Sequence, residues 1–270
     1  MKTYPKEIKN ATPSFLQSVF AEGLVTFLFL FTVMAFSINN VRQGTPENLV
    51  LAAIGVTLSS TAFIYSFGDV SGANFNPAVT VGLVLNGKMP LLKGIAYVTV
   101  QLIAAVMATL HVQAVFPNNP LGDHTSIFDA LLVQPNAQSD LLTFFLMEAS
   151  LTFILLYVIF STAVDKVENV DAILVNDGDK SFTVYTTIPA SKNTFAPIAI
   201  GFTLGFLCLL GGSTSGGCFN PARAFGPALL SGNFDNFWVY AAADVTGAVL
   251  AGITQSSFAL GSKVSAAKSS

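Results

Sequence analysis

Long apolar stretches separated by shorter polar segments dominate the pattern of this 270-residue chain. A helix that crosses a membrane needs about 17–25 mostly apolar residues. Six stretches meet this requirement: Ser14–Phe36, Leu49–Phe67, Gly94–Val115, Leu141–Val164, Ala196–Gly212 and Phe237–Phe258. The pattern therefore predicts an all-α membrane protein with six transmembrane helices.

Two shorter segments interrupt this pattern, Ser71–Thr80 (SGANFNPAVT) and Ser215–Ala224 (SGGCFNPARA). Each contains Asn followed by Pro, and these residues favour the N-cap and the first position of a helix. The sequence therefore predicts two re-entrant helices, Pro77–Leu85 and Pro221–Leu230, each about 13–15 Å long and thus able to span half a bilayer. The motif residues are Asn76, Pro77, Ala78, Asn220, Pro221 and Ala222.

The N-terminus of a helix carries partial positive charge and unpaired N–H donors. If the two half-helices enter from opposite faces, these ends meet near the membrane midplane, where Asn76 and Asn220 add amide donors. Such an arrangement repels cations and orients water so that a proton-conducting chain of water is interrupted. The two motifs therefore predict a pore for neutral solutes.

The two halves of the chain carry the same landmarks in the same order. Residues 14–115 contain Glu-x-x-x-Thr-Phe, Asn-Pro-Ala and Tyr-x-x-x-Gln, and residues 141–258 contain Glu-x-x-x-Thr-Phe, Asn-Pro-Ala and Tyr-x-x-x-Asp. Because each half has three spans, an odd number, the halves insert with opposite orientation, as in transporters built from inverted repeats. The acidic residues of these landmarks, Glu22 and Glu148, lie inside predicted spans. We interpret them as buttresses that accept hydrogen bonds from the re-entrant backbone, rather than as groups that contact solute.

The distribution of basic residues predicts on which side of the membrane the two termini lie. Only 10% of the residues are charged, and ten of the twelve basic residues fall on the side of the two termini if six spans alternate. The positive-inside rule then places the tails, 1–13 and 259–270, in the cytosol, with a channel domain over 14–258 between them. The net charge of −3 and the absence of a basic patch argue against nucleic acid as a partner.

The connector after the fourth span, residues 165–195, is longer than most connections. Within it, Ile173–Val175 and Ser181–Ile188 flank Asn-Asp-Gly-Asp, which predicts a hairpin. This extended cytosolic loop is either a gate or an inert surface loop. Its candidate phosphorylation sites are Ser181, Thr183, Tyr185, Thr186, Thr187 and Ser191.

The paired Asn-Pro-Ala motifs, together with the repeated landmarks, make the chain resemble the aquaporin (major intrinsic protein) family over nearly its whole length. The resemblance implies an hourglass fold, a homotetramer in the lipid bilayer and one pore in each subunit. It also implies that Asn76 and Asn220 are the central donors and Arg223 the filter arginine. By counting from the motifs, the other filter positions are Val56, Cys208 and Gly217.

The resemblance implies a passive channel for water, driven by an osmotic gradient and excluding ions and protons. The alternative is a facilitator of glycerol, urea or ammonia, because Val56 and Cys208 are smaller than the aromatic residue and His of typical water-selective members. Ala224 after Arg223 matches the water type, since glycerol-conducting members usually have Asp there.

No motif for a nucleophile, a metal or a phosphate loop is found, so we expect no enzyme activity and no cofactor. A structural role and coupled transport are the remaining rival interpretations. The sequence leaves open whether the protein resides in the plasma membrane or in a vacuole or vesicle membrane.

Overall fold

The computed structural model describes residues 13–43, 48–116, 127–164, 173–177, 180–184 and 189–268. Among them, six helices are long and apolar enough to cross a membrane. Large apolar side chains such as Leu16, Phe20 and Leu58 remain exposed on the outer surface of the bundle. The prediction of an all-α protein with six spanning helices and two half-spanning helices is confirmed.

The described helices and strands follow one another in a simple order. They are α1 (Phe15–Arg42), α2 (Leu49–Phe67), α3 (Pro77–Leu85), α4 (Leu91–Val115), α5 (Ile127–Leu131), α6 (Leu141–Ile159), β1 (Ile173–Asp177), β2 (Lys180–Val184), α7 (Pro189–Gly211), α8 (Pro221–Ser231) and α9 (Phe237–Lys268). A π-helical turn, Phe160–Val164, extends α6. The half-spanning helices are α3 and α8.

Local capping explains where several helices begin. At α1, the Ser14 hydroxyl accepts the Gln17 backbone N–H at 3.2 Å, and the Gln17 side chain accepts the Ser14 N–H at 2.8 Å. The Asn48 side chain accepts the Leu51 N–H at the start of α2. These reciprocal and single caps satisfy backbone donors that have no partner inside the helix.

Four spanning helices extend beyond the apolar stretches that predicted them, and the smallest extension is that of α4, which begins at Leu91 instead of Gly94. Helix α1 continues from Phe36 to Arg42, because no Pro or Gly interrupts the intervening residues. Helix α9 continues past Phe258 to Lys268, within the segment predicted as a C-terminal tail. Helix α7 begins at Pro189, within the segment predicted as a connector. Apolar length therefore marks the membrane-buried part of a helix and not its ends.

The helix contacts show the inverted repeat directly. The pairs α1–α4, α1–α2 and α3–α4 of the first half have the counterparts α6–α9, α6–α7 and α8–α9 in the second half. Across the halves, α4–α8 corresponds to α3–α9, while α2–α7 and α3–α8 are contacts between equivalent helices. The chain is thus two similar units joined about an approximate two-fold axis.

Glycine permits the closest helix approaches. A Cβ added at Gly247 of α9 would lie 2.8 Å from the backbone nitrogen of Phe153 in α6. A Cβ at Gly205 of α7 would lie 3.0 Å from the Ala53 carbonyl oxygen in α2. Small residues at such crossings let helix backbones pack tightly inside a membrane.

The connector between α6 and α7 contains the predicted hairpin. Strands β1 and β2 are antiparallel, with Ile173 opposite Val184 and Asp177 opposite Lys180. The second strand begins one residue earlier than predicted, and the predicted strand residues 185–188 lie outside the described part. The predicted N-terminal tail, apart from residue 13, also lies outside it.

Candidate pore and filter

The two half-helices begin at equivalent asparagines. The Asn76 Oδ1 atom accepts the Ala78 backbone N–H at 2.9 Å, and Asn220 Oδ1 accepts the Ala222 N–H at 3.0 Å. Both asparagines have extended backbones and are followed by Pro as the first helical residue. The sequence-predicted caps are therefore present at the N-termini of α3 and α8.

The amide nitrogens of the same asparagines cross between the halves. Asn76 Nδ2 donates to the Phe219 carbonyl oxygen at 2.6 Å, and Asn220 Nδ2 donates to the Phe75 carbonyl oxygen at 3.0 Å. A side-chain amide has two N–H groups. Each crossed bond uses one of them, so the second N–H of each asparagine remains available at the junction.

The residue before each asparagine has an unusual backbone conformation. Phe75 has φ of 38° and Phe219 has φ of 34°, both in the left-handed region that favours glycine. Such a conformation costs about 1–3 kcal/mol for a residue with a side chain and persists only when the surroundings hold it. The left-handed turn directs both carbonyl groups to the opposite half, where the asparagines donate to them.

Glu22 of α1 holds the first re-entrant backbone. Its Oε1 atom accepts the Phe75 N–H at 2.6 Å and the Gln101 side-chain N–H at 2.8 Å, and Oε2 accepts the Asn74 N–H at 3.3 Å. The side chain is fully buried. Hydrogen bonds to a charged acceptor are about twice as strong as neutral ones.

Glu148 of α6 holds the second re-entrant backbone in the equivalent way. Its Oε1 atom accepts the Cys218 N–H at 3.0 Å and the Ser215 hydroxyl, and Oε2 accepts the Phe219 N–H at 2.7 Å. Both glutamates therefore face backbone donors beside a left-handed phenylalanine.

Two tyrosines also hold the re-entrant loops, and the sequence interpretation gave them no role. The Tyr97 hydroxyl donates to the Ser71 carbonyl oxygen at 2.8 Å, and the Tyr240 hydroxyl donates to the Ser215 carbonyl oxygen at 2.6 Å. Both are buried. Their recurrence at equivalent positions in the two halves was the sequence signal that could have revealed this supporting role.

A cavity opens on each side of the asparagine junction. The larger, of about 540 Å³, reaches Phe75 and Asn76 and extends to Tyr65 and Thr194. The smaller, of about 180 Å³, reaches Phe219 and Asn220. The half-helix N-termini thus lie between two openings.

The four sequence-predicted filter residues come together at the smaller cavity. Val56 of α2, Cys208 of α7, Gly217 of the second re-entrant loop and Arg223 of α8 all border it. The Arg223 Nη1 atom donates to the Leu131 carbonyl oxygen of α5 at 2.8 Å. No sequence signal pointed to Leu131, because nothing in its neighbourhood indicates proximity to a residue 92 positions away.

Side chains from α1 also border the smaller cavity. Phe29, Val33 and Phe36 form an apolar wall of it, and Arg223 and the re-entrant loop also line it. The filter counted from the two motifs did not include them. The cavity is therefore lined both by apolar side chains and by the fixed donors of Arg223.

The candidate phosphorylation sites lie apart from this junction along the chain. Ser181 and Thr183 belong to β2 and Ser191 to the first turn of α7. Tyr185, Thr186 and Thr187 lie outside the described residues.

Known proteins share both the sequence and the fold. The family profile described as Major intrinsic protein matches residues 9–176 and 181–255. Aquaporin-B of Dictyostelium discoideum is 46% identical over 245 residues, which cover 90% of this chain and 83% of that protein. An aquaporin of Enterocytozoon bieneusi is 34% identical over 248 residues, covering 92% and 98% of the two chains. The structure of the aquaglyceroporin from Plasmodium falciparum superimposes with a TM-score of 0.70 and 24% identity, covering 88% of this chain and 94% of that one.

The profile match covers most of the chain, and the relatives align over nearly all of it. The six apolar helices make the protein an integral, multi-pass membrane protein. The chain belongs to the major intrinsic protein family of membrane channels, whose members include the aquaporins.

Proposed function

We propose that the protein is a passive channel for water, driven by an osmotic gradient. The observation that carries this proposal is the pair of cavities that approach the asparagine junction from opposite sides. At the junction, each asparagine keeps one N–H group free of the crossed hydrogen bonds. A water molecule that accepts both hydrogen bonds directs its own protons away from the junction.

Ion and proton exclusion follow from the same groups. The N-termini of α3 and α8 carry partial positive charge, which disfavours a cation at the junction. Arg223 adds a permanent charge beside the smaller cavity, where its bond to the Leu131 carbonyl fixes the guanidinium. Water oriented in opposite directions on the two sides of the junction cannot relay a proton through it.

Glu22 and Glu148 act as buttresses in this proposal. Their carboxylates hold the backbone of Phe75 and Phe219 in the left-handed conformation. Without them, the two carbonyl groups would lose the orientation that the asparagine amides need. Neither glutamate has to contact the solute.

A facilitator of glycerol, urea or ammonia is the second candidate, and the filter favours it. Val56 and Gly217 are small, and Cys208 has only a thiol to offer. The apolar wall of Phe29, Val33 and Phe36 lines the same smaller cavity as the donors of Arg223. Apolar side chains and fixed donors in one cavity suit a small polyol, whose carbon chain and hydroxyl groups need different contacts.

Stopped-flow light scattering of proteoliposomes distinguishes the two candidates. Water flux is measured with an impermeant osmolyte, and glycerol and urea fluxes are measured separately on the same vesicles. Fast water flux without solute flux supports the water channel, and solute flux above that of empty vesicles supports the facilitator. The double change Asn76→Asp and Asn220→Asp, which keeps the cap oxygens but removes the amide donors, should abolish both fluxes. Unchanged water flux in that variant would contradict the proposed junction.

We further propose that the connector over residues 165–195 gates the larger cavity from the cytosolic side. The support is geometric: α7 begins in this connector, and Tyr65 and Thr194, which both line the larger cavity, are joined by a hydrogen bond of 2.9 Å from the Tyr65 hydroxyl to the Thr194 carbonyl oxygen. Deletion of residues 166–192 should raise water permeability per channel. A deletion that leaves permeability unchanged would identify the connector as an inert surface loop.

The orientation and assembly extend the same proposal. The lysine distribution supports termini in the cytosol, and family membership supports a homotetramer in the bilayer. Protease accessibility of an epitope tag at each terminus in sealed vesicles tests the orientation. Mass measurement in detergent tests the assembly.

A further inference from the structure

The two halves differ at one buried position that their symmetry makes equivalent. Gln101 follows Tyr97 by four residues, and its Nε2 atom donates to Glu22 Oε1 at 2.8 Å and to the Thr80 hydroxyl at 2.9 Å. Asp244 follows Tyr240 by the same interval. An aspartate in its ionised form has no proton to donate, so the second half lacks the donor that the first half has.

The surroundings of Asp244 are incompatible with an ordinary ionised aspartate. Its side chain is fully buried, and its Oδ1 atom accepts the Thr152 hydroxyl at 3.1 Å. The Oδ2 atom has no hydrogen-bond partner within the described part of the chain. Its partner Thr152 stands one helical turn after Glu148 on α6, which places the Asp244 carboxyl beside that of Glu148, itself fully buried.

No cation balances these two acids in the described surroundings. Arg223 gives its hydrogen bond to the Leu131 carbonyl oxygen. The other titratable groups near the pair are Cys218 from the re-entrant loop, Tyr240 from α9 and Cys208 from α7, and none of them is cationic. Helix α3, which also packs against α9, carries no titratable side chain.

Two adjacent carboxylates in an apolar interior cannot both stay ionised, because each disfavours the charge of the other and neither is solvated. One proton removes both difficulties. It cancels one charge, and on Asp244 it turns an oxygen without a partner into a donor.

We propose that Glu148 and Asp244 form a proton-binding site in which a neutral Asp244 donates its proton in a hydrogen bond to the Glu148 carboxylate. Asp244 then does for Glu148 what Gln101 does for Glu22. It is a positioning residue, since Glu148 in turn holds the Cys218 and Phe219 N–H groups before α8. The site exists whichever solute passes through the pore.

Infrared spectroscopy of the full-length protein in lipid tests the site directly. A protonated carboxylic acid has a carbonyl stretch that is separate from the carboxylate bands. We expect wild type to show this band at neutral pH and Asp244→Asn to lose it. The matched control Glu22→Gln should keep the band, because Glu22 already has an N–H donor in Gln101. Absence of the band in wild type, its persistence in Asp244→Asn or its loss in Glu22→Gln would overturn the proposal.

Thermal unfolding provides a second test, independent of the infrared signal. Asp244→Ala removes the donor and should lower the melting temperature in detergent. Asp244→Asn restores an N–H donor of the same shape and should recover most of that loss. If both acids were ionised, Asp244→Ala would relieve repulsion, so an unchanged or higher melting temperature in this variant would contradict the shared proton.

Discussion

Replacement of Glu148 by Gln tests how the second re-entrant loop is held. The substitution preserves shape but replaces one carboxylate oxygen by an NH₂ group. The two oxygens of Glu148 accept the Phe219 N–H on one side and the Cys218 N–H with the Ser215 hydroxyl on the other. An amide placed in either orientation turns its NH₂ group towards at least one backbone N–H, and two donors cannot bond to each other.

The cost follows from these contacts. One buried N–H without an acceptor costs about 1–3 kcal/mol, and the remaining bonds lose the advantage of a charged acceptor, about 1 kcal/mol each. Glu148→Gln should therefore destabilise the protein by about 2–5 kcal/mol. For a chain of this size, that corresponds to a fall of about 5–15 °C in melting temperature.

Glu22→Gln is the matched comparison in the other half. Its amide can keep the Phe75 and Gln101 bonds, which share Oε1, and give up only the longer 3.3 Å bond from Asn74. We expect a loss of about half the size of that in Glu148→Gln. Thermal unfolding in detergent and water permeability in proteoliposomes measure the two consequences. Equal melting temperatures for both variants and wild type would refute the reasoning.

Three further variants test the filter and the packing. Cys208→Ser should abolish inhibition of water flux by a mercurial reagent, because both cysteines border the smaller cavity but Cys208 is partly exposed whereas Cys218 is only 2% exposed; inhibition that persists would assign the reactive thiol to Cys218. Arg223→Val should raise proton and cation leakage, measured with a pH-sensitive dye in vesicles, since it removes the fixed charge at the cavity; an unchanged leak would assign exclusion to the half-helices alone. Gly247→Leu should destabilise the protein by about 1–3 kcal/mol, because the Cβ of the new side chain alone would lie 2.8 Å from the Phe153 backbone nitrogen; an unchanged melting temperature would contradict this.

The sequence predicted those helix boundaries that local signals determine. Leu49–Phe67 and Pro77–Leu85 have the predicted bounds, and capping asparagines directly before both determine where they begin. The far end of α1 and the start of α7 were misplaced, since a helix continues through polar residues until a stop signal, whereas hydropathy records only what contacts lipid. The two halves were recognised because their landmarks recur at equal spacing.

The candidate site likewise has a part that the sequence predicted and a part that only the structure revealed. Asn76, Asn220, Gly217 and Arg223 belong to the two motifs, so short spacing fixes their place at or before the start of a half-helix. The predicted filter positions Val56 and Cys208 lie on α2 and α7 and were named only through the resemblance to the family. The crossed amide bonds join residues 143 and 145 positions apart in the chain. Leu131, which accepts the Arg223 hydrogen bond, and the α1 residues that line the smaller cavity are also far from the motifs in the sequence. The role of Asp244 also needed coordinates, because its spacing from Tyr240 gave an equivalent position but not the second acid beside it.

The sequence by itself determined the six spans, the inverted repeat and the residues at the start of each half-helix. Hydrophobic length, period and capping depend on residues that are near one another in the chain, so they can be recognised without any tertiary contact. Only the tertiary structure decided which carbonyl each asparagine reaches, which backbone donors each glutamate holds and which two acids meet. Those partners come from different helices, and their meeting depends on how α1–α4 and α6–α9 pack about the approximate two-fold axis.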